Sequence, residues 1–197
     1  MPKIVDHDKR REELLEAVIR VISRNGVEGT TMRVIAEESG WSTGSLAHYF
    51  SDRDDIVASA LRYSHTTIRK RWTRKLKNKT GLAAVRELMV DNLPLDKTRA
   101  TETRLEVVFW GQAANQPRLL AVQRNNDGTL FEAMKRYVDQ AHEAGELTAD
   151  TNTELVTQRL LALIDGLSVR HMLSETQITQ ADMLQIVDEE IERLSHT

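Results

Sequence analysis

The stretch Gly40–Val57, GWSTGSLAHYFSDRDDIV, decides the fold of this chain. Its middle, Ser42–Phe50, reads as a helix barely two turns long in which only Leu46 and Phe50 supply a clear apolar anchor. At 3.6 residues per turn these two share one face. Gly44 and His48 point the other way, flanked by Ser45 and Tyr49. A solvated helix normally carries Lys and Glu. Small hydroxyl residues and ring donors instead suit a face that meets another surface. Ser, Thr and Tyr hydroxyls donate to phosphate oxygens, and a low-relief helix fits a DNA major groove.

Working outward, TTMRVIAEESG before this stretch offers Thr30 or Thr31 as an N-cap, with a brief helix that ends at Gly40. The two short helices and the Gly40-Trp41 turn have helix-turn-helix spacing. A small helical hairpin that merely packs has the same spacing. Upstream, Leu14, Val18, Val21 and Ile22 lie on one helical face, and Asn25-Gly26 is a stop signal. Downstream, a long helix begins at Ser51 or Asp52, with acids in its first turn and bases in its last. Farther on, Pro94 stops one helix and Pro117 opens another. That last helix is read as one long element, with a candidate kink at Asn125-Asn126-Asp127-Gly128. The expectation is an all-α protein of about nine helices. Residues 1–52 are expected to form a helix-turn-helix domain, 52–77 a connecting fourth helix, and 53–197 a larger helical domain.

The 197 residues are 40% hydrophobic and 29% charged, enough for a substantial core in a water-soluble chain. No apolar run approaches membrane-spanning length, and the first residues lack a signal-peptide core, so a cytoplasmic location is the simplest reading. The absence of cysteine excludes disulfides, thiol nucleophiles and thiolate metal sites. The net charge of −3 conceals an asymmetry. Residues 1–80 hold 16 Lys+Arg and 11 Asp+Glu, a net of +5, whereas 81–197 hold 11 and 19, a net of −8. A basic module joined to an acidic one suggests two tasks. Six His residues are present, yet no H-E-x-x-H, nucleophile elbow or Gly-rich phosphate loop accompanies them. Neither an enzyme nor a metal protein is expected, and no cofactor.

TTMRVIAEESGWSTGSLAHYFSDRDDIV resembles the DNA-binding segment of the TetR family of bacterial transcriptional repressors, and RREELLEAVIRVISRNGVEG resembles that family's first helix. EVVFWGQAANQPRL, RLLALIDGLSVRHML and STGSLAHYF are similar to the choline/betaine-repressor branch. The resemblance implies a homodimer that binds a near-palindromic double-stranded operator and responds to a small-molecule ligand. It implies that Thr31 caps the second helix and faces phosphate, with Arg33 in reach of a base or phosphate. Ser42, Thr43, Gly44 and Ser45 would belong to the major-groove end, His48 and Tyr49 would touch backbone or thymine methyls, and Arg53 would bind phosphate. Ala47 departs from the pattern, since many relatives carry Tyr there. An activator, or a helical interaction module without DNA, are the alternatives.

In the second region RLLALIDGLSVRHML is apolar over a wide arc, which implies burial on two sides. Leu160, Ile164, Gly166, Leu167 and His171, with Leu184, Val187 and Ile191 of the last helix, are the expected dimer interface. The resemblance further implies an effector pocket among Met89, Asn92, Phe109, Trp110, Gln112, Phe131, Met134 and Asp165, although for any one aromatic or Met position core packing is the commoner role.

Overall fold

A computed structural model describes residues 7–196. Among the described residues the chain forms nine α-helices and no strand: α1 (His7–Asn25), α2 (Met32–Ser39), α3 (Thr43–Ala47), α4 (Arg53–Lys75), α5 (Gly81–Asp91), α6 (Lys97–Ala113), α7 (Pro117–Glu143), α8 (Thr153–Leu173) and α9 (Gln180–His196). The all-α expectation holds. The helix α3 is shorter than its sequence suggests, because His48 and Tyr49 already belong to a turn. Asn125–Gly128 makes no turn. The helix α7 runs through it, and backbone hydrogen bonding overrides the local turn preference.

The chain divides into two compact units. One takes the chain up to Thr67 together with Leu105–Gln123, and the other takes Ile68–Arg104 and everything from Arg124. A division at residues 52/53 therefore does not coincide with the packing. The N-terminal unit borrows parts of α6 and α7. Its core joins Leu14, Val18, Ile22, Ile35, Leu46, Phe50, Ile56 and Leu61 to Leu105, Phe109 and Leu119. A buried polar cluster sits in the same unit. The His65 imidazole bonds Glu106, whose other oxygen accepts from Gln123 Nε2 at 2.9 Å. A buried imidazole and a half-buried carboxylate satisfy each other there, at a position where an unpartnered imidazole would be costly.

The second unit packs α5 against α8 and α9 around Leu88, Met89, Met134, Val138, Met183 and Val187. Local chemistry fixes the start of α5. Thr80 makes no side-chain cap, and the Glu146 carboxylate instead accepts from the Leu82 N–H at 2.7 Å. Gly81 makes this possible, with φ of 53° and no side chain in the carboxylate's path. Arg71 of α4 binds Asp91 at 2.8 Å and Glu102 at 2.7 Å, tying α4 to α5 and α6.

Most residues of the expected interface are engaged inside this unit. Leu160, Ile164, Leu167 and Val187 are buried in the protomer's own core. His171 is also buried, and its Nδ1 donates to the Ile178 carbonyl at 2.7 Å. Leu184 and Ile191 are half-buried. Only Gly166 lies on an open face, where an added Cβ would meet nothing within 4 Å. An apolar stripe serves the nearest helices first, and sequence periodicity cannot say which copy supplies them.

Candidate nucleic-acid interface

The helix α2 begins at Thr31, whose Oγ1 accepts from the Val34 N–H at 3.3 Å, and ends at Gly40 with φ of 71°. A left-handed residue closes a helix, and Gly adopts it without strain. The chain then turns through Trp41, whose ring meets Tyr49 edge-on at 5.2 Å. Ser42 caps α3, accepting from the Ser45 N–H at 3.0 Å and exchanging a hydroxyl bond with Ser45 Oγ at 2.8 Å. Beneath, Leu46 is 0% and Phe50 3% exposed. Arg11 lies over the Phe50 ring at 5.3 Å.

Five residues are too few for a helix to persist by propensity, so these two anchors and the Ser42 cap hold α3. The opposite face is bare: Thr43, Gly44, Ala47 and His48 are exposed. Ser45 and Tyr49 are half-buried beside them. Thr31 and Arg33 are exposed on α2, and Arg33 bonds Glu37 at 2.9 Å. Arg53, expected to meet phosphate, is engaged within the protein. Arg53 Nε donates to the Thr30 carbonyl at 2.7 Å, and a second guanidinium nitrogen donates to the Val27 carbonyl. Its third partner is Asp54 at 3.0 Å. This arginine folds the loop before α2 onto α4, and the dipeptide Asp52-Arg53 gives no hint of that. Asp52 Oδ1 caps α4 from the Asp55 N–H at 2.7 Å, and the backbone bond and Arg118 hold its carboxyl below the usual range.

The residues nominated for an effector are divided between the two units. Met89 and Met134 are in the core of the second unit, while Phe109 is in the core of the first. Trp110 is exposed and Gln112 bonds Glu28, both within the N-terminal unit. Asn92 Nδ2 donates to the Leu88 carbonyl at 2.7 Å, Phe131 is half-buried, and Asp165 is exposed. A groove of about 690 Å³ lies elsewhere in the second unit, between the last turns of α4 and the middle of α7. Trp72, Leu76 and Tyr137 line it together with Arg69, Arg124 and Arg136. The signal was present in RKRW and in the i, i+4 recurrence along α7, but charge counting hid the first and the turn reading of Gly128 hid the second.

Residues 14–60 match the family described as bacterial regulatory proteins, tetR family. Residues 82–196 match BetI-type transcriptional repressor, C-terminal. The regulator BetI of Proteus mirabilis is 30% identical over 98% of this chain and 94% of its own. The regulator PksA of Bacillus subtilis is 28% identical over the same shares. A transcriptional regulator from Rhodococcus sp. Rha1 has a similar solved structure, with a TM-score of 0.81 and 26% identity over 93% of this chain and 95% of that one. A Saccharomonospora viridis protein solved in complex with choline shares the fold, with a TM-score of 0.87 and 21% identity over 94% and 97%. A short helix pinned on one side and bare on the other, with family matches over residues 14–60 and 82–196, makes this protein a ligand-responsive transcriptional regulator of the TetR family with a BetI-type C-terminal region.

Proposed function

We propose that the protein is a repressor that binds a near-palindromic operator as a homodimer, with α3 of each copy in successive major grooves, and that a small molecule releases it. Gly44 carries the reading. It weakens a five-residue helix, since Gly costs about 1 kcal/mol relative to Ala. Nothing inside the protein calls for it: an added Cβ would meet only Ser42 Oγ, at an ordinary 3.8 Å. Low relief at an exposed position is what close approach to a groove wall requires. Thr43 and His48 beside it offer donors to phosphate or base edges.

TetR-family proteins bind operators as dimers, and α8 offers a face for a second copy. Leu155 and Leu173 are 65% and 75% exposed on this helix. Ala162 and Gly166 lie exposed between them. Large exposed apolar residues at helical spacing, with small residues between, suit close helix packing across a two-fold axis.

Release would act through α4. Its first residue, Arg53, bonds the loop before α2, and its last turns line the groove. An effector shifts the operator equilibrium only by its differential affinity for the two forms. The experiment is a mobility shift on the DNA flanking the protein's own gene, titrated with salt. Wild type is expected to bind with affinity that falls steeply as salt rises. Gly44→Leu is expected to fold and dimerise normally yet lose the shift. Equal binding by both proteins refutes the placement of α3 in the groove.

A further inference from the structure

We propose that the groove between α4 and α7 takes a small organic oxyanion with a flat apolar body, and that it rejects cations. The proposal rests on the reading of the second unit as effector-binding and names the class of ligand.

The groove's volume of about 690 Å³ suits a drug-sized molecule. Its charged lining is three guanidiniums, Arg69, Arg124 and Arg136, against one carboxylate, Glu132. Trp72 lines the groove too and is 6% exposed. Guanidiniums only donate. The site is therefore rich in donors, and the complementary group is an acceptor bearing negative charge.

The lining also disfavours a quaternary ammonium. Three like charges oppose it. Its usual attraction is to an aromatic face. The Arg136 guanidinium already covers the Tyr137 ring, 4.8 Å from its centroid, which leaves Trp72 as the one uncovered aromatic of the lining, and the three guanidiniums around it outweigh its pull on a cation. The indole of Trp72 and the side chain of Leu76 supply apolar surface for a flat body. Gly128 keeps the space open. It sits in the interior of α7 on the groove wall, and an added Cβ would meet nothing within 4 Å.

Three probes with the same ring system test this by titration calorimetry on the full chain: 2-naphthoate, 2-naphthyl phosphate and trimethyl(2-naphthyl)ammonium. At least one oxyanion is expected to bind below about 1 mM, with the ammonium weaker on the order of tenfold. Comparing the two oxyanions separates a carboxylate from a phosphate site. Arg124→Gln combined with Arg136→Gln should weaken the oxyanion on the order of tenfold without lowering the melting temperature. Gly128→Leu should abolish binding. An ammonium that binds as tightly as the oxyanions, and is blocked by Gly128→Leu, overturns the anion class but leaves the groove as the effector site. Binding that survives Gly128→Leu, or failure of all three probes, overturns the groove itself. The operator mobility shift is scored separately.

Discussion

Arg53 shows how one side chain sets the stability of the reading head. Its guanidinium serves two backbone carbonyls, at Thr30 and Val27, on the loop that delivers α2. In Arg53→Ala both acceptors lose their partner, and the fold is expected to lose about 1–3 kcal/mol in urea unfolding. Any loss of operator affinity should then leave the slope of log K against log salt unchanged, whereas a phosphate contact would lower that slope by about 1. Glu87 carries the pH prediction. The bond from Lys79 at 2.5 Å holds its carboxyl below the ordinary 4.5, outweighing the burial that pushes it up. A depressed carboxyl stabilises the fold above its unfolded value, and that contribution vanishes as pH falls through the depressed one. The variant Glu87→Gln should therefore be less stable at neutral pH. Its urea midpoint should also vary less between about pH 5 and pH 3.

Among the elements, α3 and α7 contrast. Ser42 as a cap and Leu46 and Phe50 as anchors were legible, because capping and helical periodicity are local properties of a sequence. The continuity of α7 was less so. Asn-Asn-Asp-Gly has turn chemistry, yet residues on both sides of it pack on neighbouring helices, and the packed helix continues through. Gly128 is therefore a weak point of a regular helix. Substituting Ala adds a methyl to open space, and Gly128→Ala is expected to raise stability by about 0.5–1 kcal/mol, read as a higher melting temperature. An unchanged or lower value would mean that the helix bends there. The groove residues escaped sequence reading for a related reason. Arginines next to a Trp look like a solvated charge run until a second helix is set beside them.

For the whole molecule, the number of helices and their general order could be read from the chain, but the partition of the core could not. Phe109 and Met89 both look like central aromatic or thioether packing residues, and they serve different cores. Hydrophobic periodicity states that a residue is inside, not what it is inside of. The same ambiguity holds along α8, where Ile164 and Leu167 face inward and Leu155 and Leu173 face out. Leu173→Glu is accordingly expected to leave the melting curve of the protomer little changed and to shift sedimentation from dimer toward monomer. A dimer that persists unaltered would move the two-fold contact off α8.

The discontinuous make-up of the N-terminal unit bears on how such regulators can be recombined. Leu105, Phe109, Ala113 and Leu119 come from α6 and α7, yet they complete the core that holds α1 to α4. A reading head grafted from a relative by splicing near residue 52 would land on wall residues chosen for another tenant. A hybrid that behaves would have to carry those four positions along, so the transplantable piece in this protein is a surface-matched set of helices and not a length of chain.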